Sequence, residues 1–257
     1  MTTVAVDTWF MIGRQARNLL RQPFWIVIML TQPLFWLLLY SQLFRRIVDL
    51  PGFEGLDYVD YLAPGIVIMT AFFSGTWSGM GMLDDLQRGV LERFLATPTR
   101  RSALVFSHVV RNAVQSAIQG LIVLLVALAL GATNGGPVGW ITIMLAGAFV
   151  AAGFAGISTG IALLTRKEAT MIAVANFIGL PLLFFSSVLI ARALIPGWMQ
   201  DLSLANPVEW AVRAAREPVL PASEWSQVGL FLTGLLLFAI ATGVFATWAF
   251  RAYQRSL

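Results

Sequence analysis

Six apolar stretches follow one another along this chain, at residues 24–44, 61–83, 103–130, 140–164, 169–191 and 226–250. A helix needs about 20 apolar residues to cross the hydrocarbon core of a bilayer, and each stretch meets that length. They are continuous, unlike the alternating segments of about 10 residues that build a membrane barrel, so helices are expected. The sequence is 58% hydrophobic and 12% charged, with a mean hydropathy of +0.78. A soluble domain carries about 25% charged residues, and half that number does not cover a globule in water. The third stretch is the least apolar, because Arg111, Asn112, Gln115, Ser116 and Gln119 lie in its first half. The fourth and fifth are separated only by Thr165, Arg166, Lys167 and Glu168, a turn that makes them an antiparallel hairpin.

The basic residues set the orientation. With the N-terminus in the cytoplasm, eleven Lys and Arg lie in the inner segments and five in the outer ones, the asymmetry of the positive-inside rule. Both termini are then cytoplasmic. The net charge of +4 and the pI near 10.1 come from arginines spread between apolar runs. That distribution orients a membrane protein and does not make a nucleic-acid patch. The first twenty residues hold Asp7, Arg14 and Arg17 and lack the compact apolar core of a cleavable signal peptide.

Two flanking segments are expected to be more than loops. In residues 6–21, Arg14, Arg17, Asn18 and Arg21 fall on one helical face and Trp9, Ile12, Ala16 and Leu19 on another. Such a helix suits the inner leaflet interface, either as a functional element or as a plain juxtamembrane anchor. In residues 192–224, Pro196, Pro207, Pro218 and Pro221 punctuate the chain, and Asn206-Pro207 is expected to open a short helix. There Glu209, Arg213 and Glu217 stand four residues apart, the spacing of helical ion pairs. Short helices folded onto the outer face are expected.

Catalytic chemistry is excluded largely by absences from the sequence. There is no cysteine, and His108 is the single histidine, which leaves no metal site and no nucleophilic triad. No phosphate-binding glycine loop occurs, so any ATP hydrolysis belongs to another chain. No span carries Asp or Glu at membrane depth, which removes the usual proton carrier of a proton-coupled antiporter. Gly75, Gly79 and Gly81, and Gly147, Gly153, Gly156 and Gly160, suit close helix packing. Between the second and third stretches, Leu86, Val90, Phe94 and Leu95 form an apolar stripe beside Arg88, Glu92 and Arg93. A short helix with a Phe–Leu knob suits a groove on a partner; the same spacing also fits a solvated positive-inside loop.

Residues 90–100, Val-Leu-Glu-Arg-Phe-Leu-Ala-Thr-Pro-Thr-Arg, resemble the G-T-L-E-R-L…P…R signature of type 2 ABC transporter permeases, in particular the daunorubicin-resistance and nodulation-type export permeases. A second stretch, Pro181 to Ser187, then Pro196 to Gln200, then Asn206 to Trp210, resembles that family's P-L-x-F-x-S-G…L-P-x-W-L…N-P pattern. Val90 stands in place of the usual threonine, and Ser187 where glycine is common.

The resemblance implies one all-α integral membrane permease domain over residues 1–257. It would have six transmembrane helices, an N-terminal interfacial connecting helix (1–22), a cytoplasmic coupling loop (84–102) and an extracellular helical segment (192–225). Glu92 and Arg93 would make polar contacts with a separate nucleotide-binding ATPase subunit. Phe94 and Leu95 would pack on it, Thr97 and Pro98 would complete the loop, and Arg14 and Arg17 would approach from the connecting helix. A second permease copy or a paralogue would pair with it, the second and fifth spans facing a central path. Candidate pathway residues are Phe72, Phe73, Trp77 and Met80 on the second span and Asn176, Phe177, Phe184 and Phe185 on the fifth. Each of these also suits ordinary packing against lipid or another helix. Aromatic and Met surfaces suit hydrophobic or amphiphilic cargo, as in multidrug efflux and antibiotic resistance. The chain itself would bind no cofactor and would not be an enzyme; ATP and magnesium would sit on the partner. The expected location is the bacterial inner membrane. A glycan-export permease of the same superfamily, a secondary transporter and a non-transporting scaffold are the alternatives.

Overall fold

The computed structural model describes residues 23–44, 57–89, 101–133, 135–220 and 223–255. Among them the secondary structure is helical: α1 (Pro23–Leu43), α2 (Tyr58–Gln87), α3 (Arg101–Ala129), α4 (Gly136–Thr165), α5 (Glu168–Phe184), two short helices α6 (Gly197–Ser203) and α7 (Pro207–Arg216), and α8 (Trp225–Gln254). Among the described residues, four helices are long and apolar enough to cross a membrane: α2, His108–Ala129 of α3, α4 and α8. α1 and α5 coincide with the other two apolar runs of the sequence. The expected connecting helix at 1–22 and most of the coupling loop, from Val90 to Arg100, lie outside the described residues.

α2 and α4 form the centre of the bundle. In each, 67% of the most apolar window is buried, against 17% in α8, whose outer face carries Leu230, Leu237, Ile240, Val244 and Trp248. Small residues bring these helices together, as the sequence suggests. Gly75 and Gly79 of α2 lie against the α4 backbone at Ala151 and Ser158. Gly156 lies against the α8 backbone at Thr242, with Gly153 and Gly160 under the rings of Phe238 and Phe245. In lipid, where burial against lipid tails gives helices no reason to associate, such close approach supplies the attraction through dispersion. Ser158 adds a polar tie: its hydroxyl donates to the Thr76 carbonyl (2.6 Å) and accepts from the Gly79 amide (2.9 Å).

The ends of the bundle are fixed by longer-range contacts. The rings of Trp36, Tyr40 and Phe44, four residues apart on and just after α1, meet in turn in tilted contacts at 5.0 and 5.1 Å, and Phe44 meets Tyr58 of α2. Asp60 at the start of α2 is buried and accepts from the amide of Thr133 (2.6 Å), pinning the α3–α4 connection. α4 and α5 are joined by Arg166 and Lys167 alone, Arg166 adopting the left-handed conformation (φ 55°) that ends α4. Arg166 also lies over the ring of Tyr253 at the end of α8, 4.6 Å from its centroid.

The fifth apolar run departs from the expected span. Its helix contains a π-helical turn at Ala175–Gly179 and stops at Phe184, so residues 185–191 are not helical. Donors elsewhere in the chain take over the carbonyls that a continued helix would pair internally.

Candidate functional site

The predicted pathway residues divide by helical face. On α2, Phe73, Trp77 and Met80 follow one another at spacings of four and three, and all three are at least partly exposed; Trp77 reaches 41%. Phe72, the next residue round the helix, is fully buried and sits edge-to-face on Phe154 of α4 at 4.7 Å. It packs in the bundle core.

On α5, Met171, Ala175 and Gly179 face inward, and Gly179 lies against Phe72 and Thr76 of α2. That contact brings α2 and α5 side by side. The opposite face of α5 is bare: Phe177 is 82% exposed and Phe184 68%, and Ile172 and Ile178 are exposed as well. Asn176 is also exposed and returns its side-chain amide to the Ile172 carbonyl (2.8 Å). π-Turns of this kind concentrate at functional sites. Phe185 is half-buried and packs on Trp198 of α6 at 6.0 Å. The structure therefore leaves two aromatic and aliphatic faces open, one on each of two neighbouring helices.

Above α5, a polar cage holds the non-helical segment. Asn206 caps α7 by accepting from the Val208 amide (2.9 Å), and its side-chain amide donates to the carbonyls of Leu182 (2.6 Å) and Phe185 (3.1 Å). Arg216, also on α7, donates to the Tyr61 carbonyl (3.1 Å) and to the carbonyls of Ser187 and Val188, and lies over the Tyr61 ring at 3.8 Å. Tyr58 donates its hydroxyl to Leu189 (3.3 Å). Glu209 accepts from the amide and hydroxyl of Ser187 (2.7 and 2.8 Å) and pairs with Arg192 at 3.5 Å. The cage lets irregular backbone be buried, since apolar surroundings tolerate such backbone only when protein groups satisfy it. Gly65 makes room for it, because a Cβ there would strike the Val188 carbonyl.

The charges in this cage were visible in the sequence but their partners were not. The four-residue spacing of Glu209, Arg213 and Glu217 predicts a helical ladder. Glu209 instead turns to Ser187 and Arg192, Arg213 donates to Gln227 (3.2 Å) and lies over Phe231, and Glu217 accepts from the Glu224 amide. Burial pulls the Arg216 guanidinium below its usual value, with Tyr61 and Glu209 acting in the opposite sense. Arg213 is lowered by burial and then by Arg192. Sequence reasoning passed over Arg216 as an outer-loop charge and gave Ser158 no role; the Asn206-Pro207 pair, the charges at Glu209 and Arg213 and the Pro181–Ser187 pattern pointed to this region without their contacts.

The other end is described up to Gly89 and again from Arg101, so Glu92, Arg93, Phe94, Leu95, Thr97 and Pro98 lie outside the described residues, as do Arg14 and Arg17. The flanks are tied down. His108 of α3 pairs with Asp85 of α2 at 3.0 Å, and Gln87 donates to Glu168 of α5 at 3.0 Å. Among the described residues no group of three or more His, Cys, Asp or Glu is placed to hold a metal ion.

The ABC-2 type transporter family profile matches residues 6–220, most of the chain. "Putative transport permease ycf38" of Cyanophora paradoxa is 29% identical over 215 residues, covering 82% of this chain and 73% of that protein. Its namesake in Porphyra purpurea is 25% identical over 238 residues, covering 88% and 81%. The daunorubicin resistance ABC transporter permease protein DrrB1 of Streptomyces coeruleorubidus is 24% identical over 234 residues, covering 90% and 80%. With a profile spanning most of its length and apolar helices to match, this chain is a multi-pass membrane protein and belongs to the ABC-2 type transporter family.

Proposed function

We propose that the chain is the permease subunit of an ATP-driven exporter that moves hydrophobic or amphiphilic compounds, drugs or lipids, out of a bacterial cell. It spans the plasma membrane six times, α1 and α5 included, with both termini in the cytoplasm. A separate ATPase subunit binds ATP and magnesium. Two permeases, identical or paralogous, enclose a path lined by α2 and α5. ATP binding closes the ATPases, the coupling loop at residues 84–102 carries that motion into α2 and α3, and the path opens outward.

The observation that carries the cargo class is the pair of open faces, Phe73, Trp77 and Met80 on α2 and Phe177 and Phe184 on α5. Aromatic rings and a thioether offer broad, adaptable apolar contact, and Asn176 adds a polar group on α5. A sugar path would need polar groups along its length. The test is co-purification with the cognate ATPase in nanodiscs, then transport of an amphiphilic fluorescent dye in proteoliposomes. The expected result is a stable complex that Glu92→Ala with Phe94→Ala loosens or uncouples, and ATP-dependent dye export. Failure of any ATPase to associate would overturn the reading.

A further inference from the structure

The seam between α2 and α3 changes chemistry halfway along. In the half nearer Ala129 it is apolar: Val67 rests against Gly120, and Val123, Leu124 and Ala127 are buried. In the half nearer residues 90–100 it is polar. His108 Nε2 meets Asp85 Oδ2 at 3.0 Å, Asn112 donates to the Ser78 hydroxyl at 2.6 Å, and the Arg111 guanidinium lies beside Gly81. Ser78, Gly81 and Asp85 follow one another on one face of α2, so the polar contacts run as a row.

Ser78, His108 and Asn112 are buried, at 5%, 6% and 3% exposed, while the Asp85 side chain stays 33% exposed at the end of the row. The Nδ1 atom of His108 finds no hydrogen-bond partner among the described residues, so its polar tie is the one to Asp85. Apolar side chains would fill the same space. What they would not supply is direction, because a hydrogen bond weakens steeply when its angle is lost, whereas apolar surfaces slide. A polar residue at a helix contact is best attested as a register lock.

We propose that Asp85–His108, Asn112–Ser78 and Arg111 form a polar clasp that fixes the register of α2 against α3, so that residues 90–100 are borne on one rigid stem. Asp85 and His108 are positioning residues for coupling, acting through the stem and touching neither cargo nor ATP. The inference rests on the reading of Glu92–Pro98, within the loop at 84–102, as the part that meets the ATPase.

Because the chain has no cysteine, spin labels placed at Arg88→Cys and Phe106→Cys report the stem without background; both native side chains are exposed. In nanodiscs the native pair is expected to give one narrow distance distribution, at least twofold broader in Asp85→Leu or His108→Leu. Unchanged widths overturn the clasp, whether or not an ATPase is present. In proteoliposomes with the ATPase, the same substitutions are expected to leave subunit association within twofold while cargo-stimulated hydrolysis falls at least fivefold. The exchanged pair, Asp85→His with His108→Asp, is expected to recover at least half of that loss. A purely structural role would lower the yield of folded protein without changing stimulation per folded complex, and that result overturns the coupling role. Absence of ATPase binding to the unsubstituted protein would sink the permease reading, while the label distances still decide the clasp.

Discussion

Arg216 gives the sharpest test of how the α7 end of the bundle is held. Replacing it with Met keeps the length and apolar stem of the side chain and removes its donors. The carbonyls of Tyr61, Ser187 and Val188 then lose a partner in a buried setting. Each orphaned acceptor costs about 1–3 kcal/mol, so three cost roughly 3–9 kcal/mol. Partial rewinding of residues 185–191 recovers some of this, and about 3–5 kcal/mol is expected, the range also seen when one member of a buried charged pair is removed. For a chain of this size about 2–4 °C of Tm is lost per kcal/mol, which puts the drop at roughly 6 °C or more. Arg216→Lys keeps the charge but loses the planar fork that reaches several carbonyls, and is expected to fall between the two. Glu209 shares Ser187 with Arg216, so Glu209→Gln and Arg216→Met are expected to combine to less than their sum. The assay is thermal unfolding in one detergent at one scan rate, read from the intrinsic fluorescence of the nine tryptophans. A Tm for Arg216→Met within about 2 °C of the native protein would refute the cage argument.

Other expectations follow from the packing. Gly156→Ala is expected to cost about 1–3 kcal/mol, because its Cβ would lie 2.8 Å from the Thr242 backbone. Gly197→Ala, with nothing within 4 Å, is expected to be neutral in the same unfolding assay. Phe72→Ala is expected to lose about 3–5 kcal/mol through the cavity it leaves without changing dye preference. Trp77→Ala is expected to do the reverse, raising the KM for an amphiphilic dye several-fold with little change in Tm. Asp60→Asn weakens a charged hydrogen bond to the Thr133 amide and is expected to cost about 1–3 kcal/mol, read as earlier exchange of that amide with deuterium.

The length of each apolar run was enough to place the helices. α2 runs over Tyr58–Gln87 where the apolar pattern covers 61–83, because helices continue through polar residues that hydropathy assigns to water. Pro181 marks the π-turn, but the break after Phe184 was invisible for a different reason. Residues 185–191 are as apolar as those before them, and nothing local says that Asn206 and Arg216 will compete for their carbonyls. The site shows the same limit. Phe72 and Phe73 are identical neighbours, and contacts from other helices, Phe154 on α4 and Gly179 on α5, decide which one is buried. The four-residue spacing around Arg213 favoured a local ladder, and contacts with α8 and with residues 187 and 192 displaced it.

The cage around residues 185–191 also bears on how the chain is made. Tyr58 and Tyr61 precede the segment, but Asn206, Glu209 and Arg216 follow it. A ribosome therefore delivers the fifth apolar run before most of the groups that hold its upper part exist. Until they arrive, a continuous helix is the form that satisfies its own carbonyls in lipid. The unwound segment is thus a late product of biogenesis, completed only when α7 emerges and exchanges side-chain donors for the helix's own amides.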